Sequence, residues 1–400
     1  MRERDIPQPG SIFMMDLLAT VPYYTAYLSR ALLQAGANIT VGSITYYLDP
    51  ACFASRGLHN KPGLVDLVGR FQLPRVHRRI LKLFEVVLNL SALTLRFLRV
   101  PPDIVHVQYM PMLRSALPLD LWFLKICRAR GSTIVLTVHD LLPHDSGDRY
   151  RPVFQNLYHF ADTIICHSVS IKQRLVAEFE IHEDKISVIP HGPFFFDLPS
   201  RNSDSFLKQL HLPTNATLVL WQGLVFPYKG LDLLLDAWQL VERENEQAYL
   251  IVAGTGDRLL LASLQEQAKR LGLTRIRLHQ EFITTGDLTA LYRAADVVVY
   301  PYRAITTSGA LATGLAFGKA ILATDLPVFR EILTNEENAL LVRPEKDLLS
   351  RGLLILLSDP ELRKSFSARI AGMHFGESSW HDIALKTISA YNKFITPLRK

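Results

Sequence analysis

The stretch Tyr300–Asp325, YPYRAITTSGALATGLAFGKAILATD, decides how this chain is read. An apolar segment ends, a polar turn follows, a run of small residues comes next, and a second apolar segment begins at Ala320. The pattern is strand, turn, short helix, strand. The helix is expected over Ser308–Phe317. It opens on Thr306, Thr307, Ser308 and Gly309, carries Ala310, Ala312, Thr313, Gly314 and Ala316, and contains no carboxylate. Two physical readings compete. Small residues let a helix pack closely on a sheet, with the Ser308 hydroxyl satisfying amide donors as an N-cap. A helix start also presents N–H groups and a partial positive charge, so hydroxyls and glycine around it suit a phosphate.

Outward from this stretch, short apolar runs alternate with helical patterns. SIFMMDLL, ITVGSIT, DIVHVQY, TIVLTVHD, TIICHS and KISVIPHG form one series, with the first strand expected over Ile12–Leu18. TLVLWQG, AYLIVAGTG, IRLHQEF, DVVVYPY, AILATD and ALLVRP form a second. Alternation of this kind predicts an α/β chain of parallel sheets with crossover helices. The polar segment Leu198–Asp204 separates the series. The expectation is two doubly wound Rossmann-like domains, 1–198 and 199–376, facing a central cleft. A closing segment, 377–400, has a helix at Trp380–Phe394 that packs back on the first domain. Ligands of such folds bind at the carboxyl ends of the strands, which places the loops in TVHDLLPH, VIPHGPF, WQGLVFPYKG, VAGTGD and YPYRAITTSG at the site.

Composition narrows the class. Four hundred residues with 48% apolar content support a large core and two domains. Cys52, Cys127 and Cys166 are widely spaced and odd in number, which argues against a disulfide framework or structural zinc and fits a reducing cytoplasm. The apolar run near the start is short and interrupted by Asp16, unlike a signal peptide. Val86–Leu95 falls short of the ~20 apolar residues that span a bilayer. The net charge of +6 is uneven: Arg70–Arg130 holds eleven Lys and Arg against three acids. Such a segment is either a solvated helical face or a surface for the inner face of an anionic membrane, with Leu81, Phe84, Val87 and Leu88 inserting. No nucleic-acid motif accompanies the charge, so no nucleic-acid partner is expected.

TVHDLLPHDSGDRYRPVFQNLYHFADTIICHS, KISVIPHGPF, FPYKGLDLLLDAW, LIVAGTGD and LYRAADVVVYPYRAITTSGALATGLAFGKAILATDLPVFREIL resemble, in this order, the motifs of retaining GT-B glycosyltransferases of family 4. The resemblance runs from about Asp103 to Tyr391. It implies a UDP- or GDP-linked sugar donor held mainly by the second domain and a saccharide or lipid-linked acceptor held mainly by the first. It also implies hexosyl transfer with retention, and neither metal ion nor other cofactor. The chain has no Asp-x-Asp, the carboxylate pair with which metal-dependent transferases of the other common fold bind their cation.

Residue by residue, the resemblance places Lys229 on the donor diphosphate, where a fixed cation stabilises charge developing on the leaving group. The alternative is a solvent-facing lysine ahead of a helix. His139 lies near the transferred sugar or is a satisfied core histidine; Asp140, His144 and Asp145 are weaker candidates. Gly223, Gly254 and Gly256 permit close approach of backbone to ligand, although a lone G-x-G is weak evidence. Phe282 and Ile283 stand where the family cradles the nucleotide base. Thr306, Thr307, Ser308, Gly309 and Ala310 face the diphosphate, and Glu331 offers a carboxylate to the ligand or is a helix-start acid. His191 and Gly192 mark the fold first.

The chain also departs from the pattern. Ile305 and Thr313 stand where many members carry two glutamates, the second gripping the donor ribose; Thr313 still offers a hydroxyl. Leu224 follows Gly223 where a basic residue is common, and LLATVPYYTAYLSRAL lacks the usual glycine pair. Two other readings stay open: a nucleotide-sugar epimerase on the same fold, and a non-catalytic sugar-nucleotide-binding subunit.

Overall fold

The computed structural model describes residues 9–61, 63–68, 75–115, 117–143, 147–197, 208–280 and 282–395. His144, Asp145, Arg70 and the Leu198–Asp204 boundary lie outside the described residues. The chain forms two compact units, one of Met1–Pro190 with Trp380–Lys400 and the other of His191–Ser379.

In the first unit six parallel strands, β1 (Ile12–Met15), β2 (Ile39–Gly42), β3 (Ile104–Val107), β4 (Thr133–Val138), β5 (Thr163–Cys166) and β6 (Ile186–Val188), lie in the order β2-β1-β3-β4-β5-β6. β1 pairs with β2 from Ile12 opposite Ile39, and with β3 from Ile12 opposite Ile104. Parallel strands covered on both faces read as continuous apolar runs, and β3, β4 and β5 are buried at every position. The first strand stops at Met15 rather than Leu18. Asp16 turns its carboxylate onto the Thr20 and Val21 amides, 2.8 and 3.1 Å away, and Ala19 takes a positive φ of 49°, so the chain bends instead of extending.

The second unit repeats the architecture. Strands β7 (Thr217–Gln222), β8 (Ala248–Ala253), β9 (Ile276–His279), β10 (Val297–Tyr300), β11 (Ala320–Thr324) and β12 (Leu340–Val342) are parallel in the order β12-β11-β10-β7-β8-β9. Read from β9, this is the 3-2-1-4-5-6 order of a dinucleotide-binding fold. Its topological switch point lies between β7 and β10; that of the first sheet lies between β1 and β3. All twelve apolar runs become strands, and each sheet with its flanking helices is a Rossmann-like layer.

The core of the second unit is built on Trp221 and Trp238, both fully buried, with the leucines of the helices Leu231–Glu244 and Lys346–Ser358. The terminal helix, Glu377–Ile395, carries Trp380 and Tyr391 into the first unit. Trp380 stacks on Tyr27 at 5.5 Å, and the Tyr391 hydroxyl lies 2.7 Å from His106 Nδ1 inside the β3 strand.

Candidate active site

At the switch point of the second sheet, β7 runs out into Gly223 and β10 into Pro301. Gly223 has a φ of 146°, and a Cβ there would come within 2.7 Å of Lys229 Nζ. The missing side chain is therefore the seat of the lysine ammonium. The same ammonium lies 5.7 Å from the centroid of the Tyr302 ring. Lys229 ends a single 3-10 turn, Pro227–Lys229, that Gly230 closes with a φ of 64°. A Cβ on Gly230 would stand 1.9 Å from the Pro301 carbonyl oxygen, so only glycine lets the turn sit on the β10 exit. Arg303 finishes the clamp: its amide donates to Tyr228 O at 2.7 Å and its guanidinium forks onto both Asp232 oxygens at 2.7 Å.

Beside Lys229 the helix Gly309–Ala316 begins. Ser308 caps it, accepting from the Leu311 amide at 3.1 Å, and no acid stands in its first turn. Its small residues have a packing cause. The buried Tyr300 ring reaches under the helix to donate its hydroxyl proton to Ala310 O at 2.7 Å, and a Cβ on Gly314 would stand 2.4 Å from that hydroxyl. His191 lies over the start of the same helix: a Cβ on Gly309 would meet its Cε1 at 2.8 Å. Thr313 is almost fully buried, donates to Gly309 O at 2.7 Å and accepts from the Phe194 amide at 3.1 Å. Its hydroxyl thus ties the chain after His191 to the helix. Tyr302 is buried with its hydroxyl directed at Ser308.

Gly254 and Gly256 serve backbone-to-backbone approach. A Cβ on Gly254 would stand 1.8 Å from Gly223 O, and one on Gly256 2.7 Å from Val225 O. The Val225 amide donates to Thr255 O at 2.8 Å, so the loops after β7 and β8 are zipped together behind Lys229. Phe282 and Ile283, half-buried, lie in the connection from β9 to the helix Thr285–Ala294. Thr306 is buried, Thr307 half-buried, and Glu331 is exposed at the end of the turn Pro327–Arg330.

In the first unit, His139 follows β4. Its Nε2 lies 3.0 Å from Gln108 Oε1, and its ring packs edge-on against Tyr24 at 4.8 Å. Gln108 follows β3 and reaches His106 Nε2 at 3.1 Å; that nitrogen also meets Thr137 Oγ1 at 2.7 Å. Burial pushes His106 down to about 3 and His167, whose ring lies 5.4 Å from that of His139, down to about 4, so both imidazoles are neutral near pH 7. Burial also pushes Asp16 up to about 6 against the lowering pull of the Thr20 and Val21 amides.

Two family models divide the chain between them: "Glycosyltransferase Family 4" matches residues 21–192 and "Glycosyl transferases group 1" matches residues 202–372. The chain belongs to the GT-B glycosyltransferases of family 4. An uncharacterized glycosyltransferase of Methanocaldococcus jannaschii is 27% identical over 234 residues, 57% of this chain and 59% of that one. A D-inositol 3-phosphate glycosyltransferase of Xylanimonas cellulosilytica is 26% identical over 245 residues, 58% of this chain and 57% of that one. The chain thus spans less than two thirds of the length of these curated relatives. Among solved structures, Anabaena HepE in complex with UDP and glucose shares the fold at a TM-score of 0.74 and 17% identity, covering 95% of this chain and all of that one.

Of the residues singled out in the sequence of this family 4 member, the second unit brings Gly223, Lys229 and the Thr306–Ala310 turn to one switch point, with Gly254 and Gly256 behind them. His139 belongs to the other unit. Sequence reasoning passed over Arg303 and Asp232, which fix the Lys229 turn, over Tyr302 beside its ammonium and Tyr300 under the helix Gly309–Ala316, and over Gln108 and His106. The signal for the last two was present: polar residues at alternate positions at the end of an apolar strand share one face. Among the described residues no group of three or more His, Cys, Asp or Glu is placed to hold a metal ion, and no helix is long and apolar enough to cross a membrane.

Proposed function

We propose that this family 4 member moves a hexosyl group from a UDP- or GDP-linked sugar to a saccharide or lipid-linked saccharide acceptor, with retention and without a metal ion. The setting is polysaccharide assembly at the cytoplasmic face of a membrane. One observation carries the reading: a lysine ammonium held over a side-chain-free Gly223, in a turn clamped by Arg303 and Asp232, at a switch point whose neighbouring helix start bears no carboxylate. When the bond from the anomeric carbon to the diphosphate oxygen breaks, negative charge gathers on the diphosphate. A preorganised cation and helix-start amides at Thr307–Ala310 stabilise it there at no cost of reorganisation. His139, its Nε2 committed to Gln108, orients the transferred sugar. The UDP and glucose held by HepE, which has the same fold, support the choice of donor class.

The test is turnover of UDP- and GDP-sugars against saccharide and lipid-linked acceptors, with and without EDTA. Lys229→Ala is expected to lose on the order of 10²-fold or more in kcat/KM, with the melting temperature little changed. EDTA is expected to leave the rate unaltered. Activity of Lys229→Ala within a few-fold of the parent, or an absolute need for Mg²⁺, overturns the assignment. Nucleotide binding without any turnover favours a non-catalytic binding subunit instead.

A further inference from the structure

The end of β3 carries polar side chains where the rest of the strand is apolar. His106, in the strand, and Gln108, just past it, share one face, and both are buried, as are Thr137 of β4, Met14 of β1 and Tyr391 of the terminal helix. Burying polar groups costs free energy unless each finds a partner, and leucine or valine would fill such a core without that demand. Here the groups are partnered in a line that runs from the terminal helix to His139. The Tyr391 hydroxyl lies 2.7 Å from His106 Nδ1, Gln108 Nε2 lies 3.1 Å from His106 Nε2, and Gln108 Oε1 lies 3.0 Å from His139 Nε2. Tyr391, His106 and Gln108 are sealed in the core, whereas His139 is half-buried at the strand ends.

Met14 sets the direction of the protons along this line. Its sulfur, 3.0 Å from Gln108 Nε2, is an acceptor with no proton to give, so the amide nitrogen faces it. The reverse orientation would press the amide oxygen on the sulfur, two acceptors with no hydrogen between them. The backbone of Gln108 is held as well, its amide donating to Met15 O at 2.9 Å. At one end of the line, His106 is neutral near pH 7 and has a single ring proton. Its Nε2 accepts from Gln108 and lies 2.7 Å from the Thr137 hydroxyl, so the proton sits on Nδ1 and is donated to Tyr391. At the other end, Gln108 Oε1 has lone pairs alone to offer. The neutral imidazole of His139 therefore carries its proton on Nε2 and its lone pair on Nδ1.

We infer that Gln108 is a positioning residue for sugar transfer: it fixes His139 as the Nε2–H tautomer, so that toward the transferred sugar the ring acts through Nδ1, as the acceptor of a hydrogen bond from a sugar hydroxyl. The terminal helix takes part, because Tyr391 holds the imidazole that holds the amide. With the tautomer set in advance, the ring needs no proton rearrangement when the sugar arrives. The inference rests on the role proposed above for His139, and its test separates the two.

Proton–nitrogen correlation spectra of the full-length chain, isotopically labelled at histidine, read the tautomer directly, with the His139 signals identified by their loss in His139→Ala. The parent is expected to show a protonated Nε2 and an unprotonated Nδ1 at His139. Gln108→Met keeps the length of the side chain but removes the amide oxygen, so it should mix the two tautomers and lower kcat about tenfold or more. In a His139→Ala background the same substitution should lower kcat no further, since residues that act through one another are not additive. A merely structural loss would appear in both backgrounds. A protonated Nδ1 in the parent, an undiminished kcat of Gln108→Met, or an equal loss in both backgrounds overturns the inference and leaves the role of His139 standing. Unchanged turnover of His139→Ala itself overturns that role, and the inference with it.

Discussion

Two helix starts flank the two switch points, and they are finished in opposite ways. The helix Pro22–Gln34 follows β1, and the carboxylate of Asp16 fills its start, taking the Thr20 and Val21 amides and the Thr25 hydroxyl. The helix Gly309–Ala316 follows β10, and there only the neutral Ser308 hydroxyl caps, with no acid in the first turn. The same electrostatic feature is met by an anion of the chain in one unit and kept clear of one in the other. Of the two starts, the second is the one suited to an anion brought by a ligand, and Lys229 stands beside it.

Moving the carboxylate from one start to the other is the sharpest way to break this contrast. Ser308→Asp retains a good N-cap, so the melting temperature should hold or rise. Turnover of the nucleotide sugar should nevertheless fall on the order of 10²-fold or more, because a fixed anion would stand where the diphosphate is to sit. Equal loss of stability and activity would show that the helix start matters for folding alone.

The converse substitution, Asp16→Asn, tests the filled start through pH. The folded pKa of Asp16, about 6, lies above its ordinary value of 3.8, so the folded state binds the proton more tightly. Between those values stability falls as pH rises, and it is flat above them. The stability of the parent minus that of Asp16→Asn should therefore shrink by up to about 3 kcal/mol from pH 4 to pH 7. Denaturant titrations at a series of pH values read this difference directly; a constant difference would mean that folding leaves the Asp16 carboxyl at its ordinary pKa.

The smallest expected effect concerns Thr313. Its hydroxyl links Gly309 O to the Phe194 amide, so Thr313→Val should cost about 1 kcal/mol of stability and leave kcat/KM within a few-fold of the parent. A large rise in KM for the donor with unchanged stability would return Thr313 to ribose recognition.

How much of this was legible beforehand depends on the range of the interactions. The strands were plain because parallel strands buried on both faces must be apolar from end to end, and Ser308 was plain because a cap is a local motif. The shortening of β1 was not, since it rests on where one carboxylate turns. The small residues at Gly309 and Gly314 were visible, but their cause lies in His191 and Tyr300. His106 and Tyr391 are 285 residues apart in sequence, and no local pattern announces such a pairing. Lys229 stood out in the sequence; the glycine over which it sits and the Arg303 fork that steadies its turn emerge only when β7 and β10 become neighbours.

The return of the terminal helix to the first unit also fixes an order of events in synthesis. Residues 191–379 have all been made before Trp380 and Tyr391 emerge, so the second unit has its whole sequence while the first still lacks the stacking partner of Tyr27 and the hydroxyl beside His106. Domains fold as units as the chain is made. The unit that starts first is the one that finishes last, and its buried imidazole waits for the final helix to complete its hydrogen bonds.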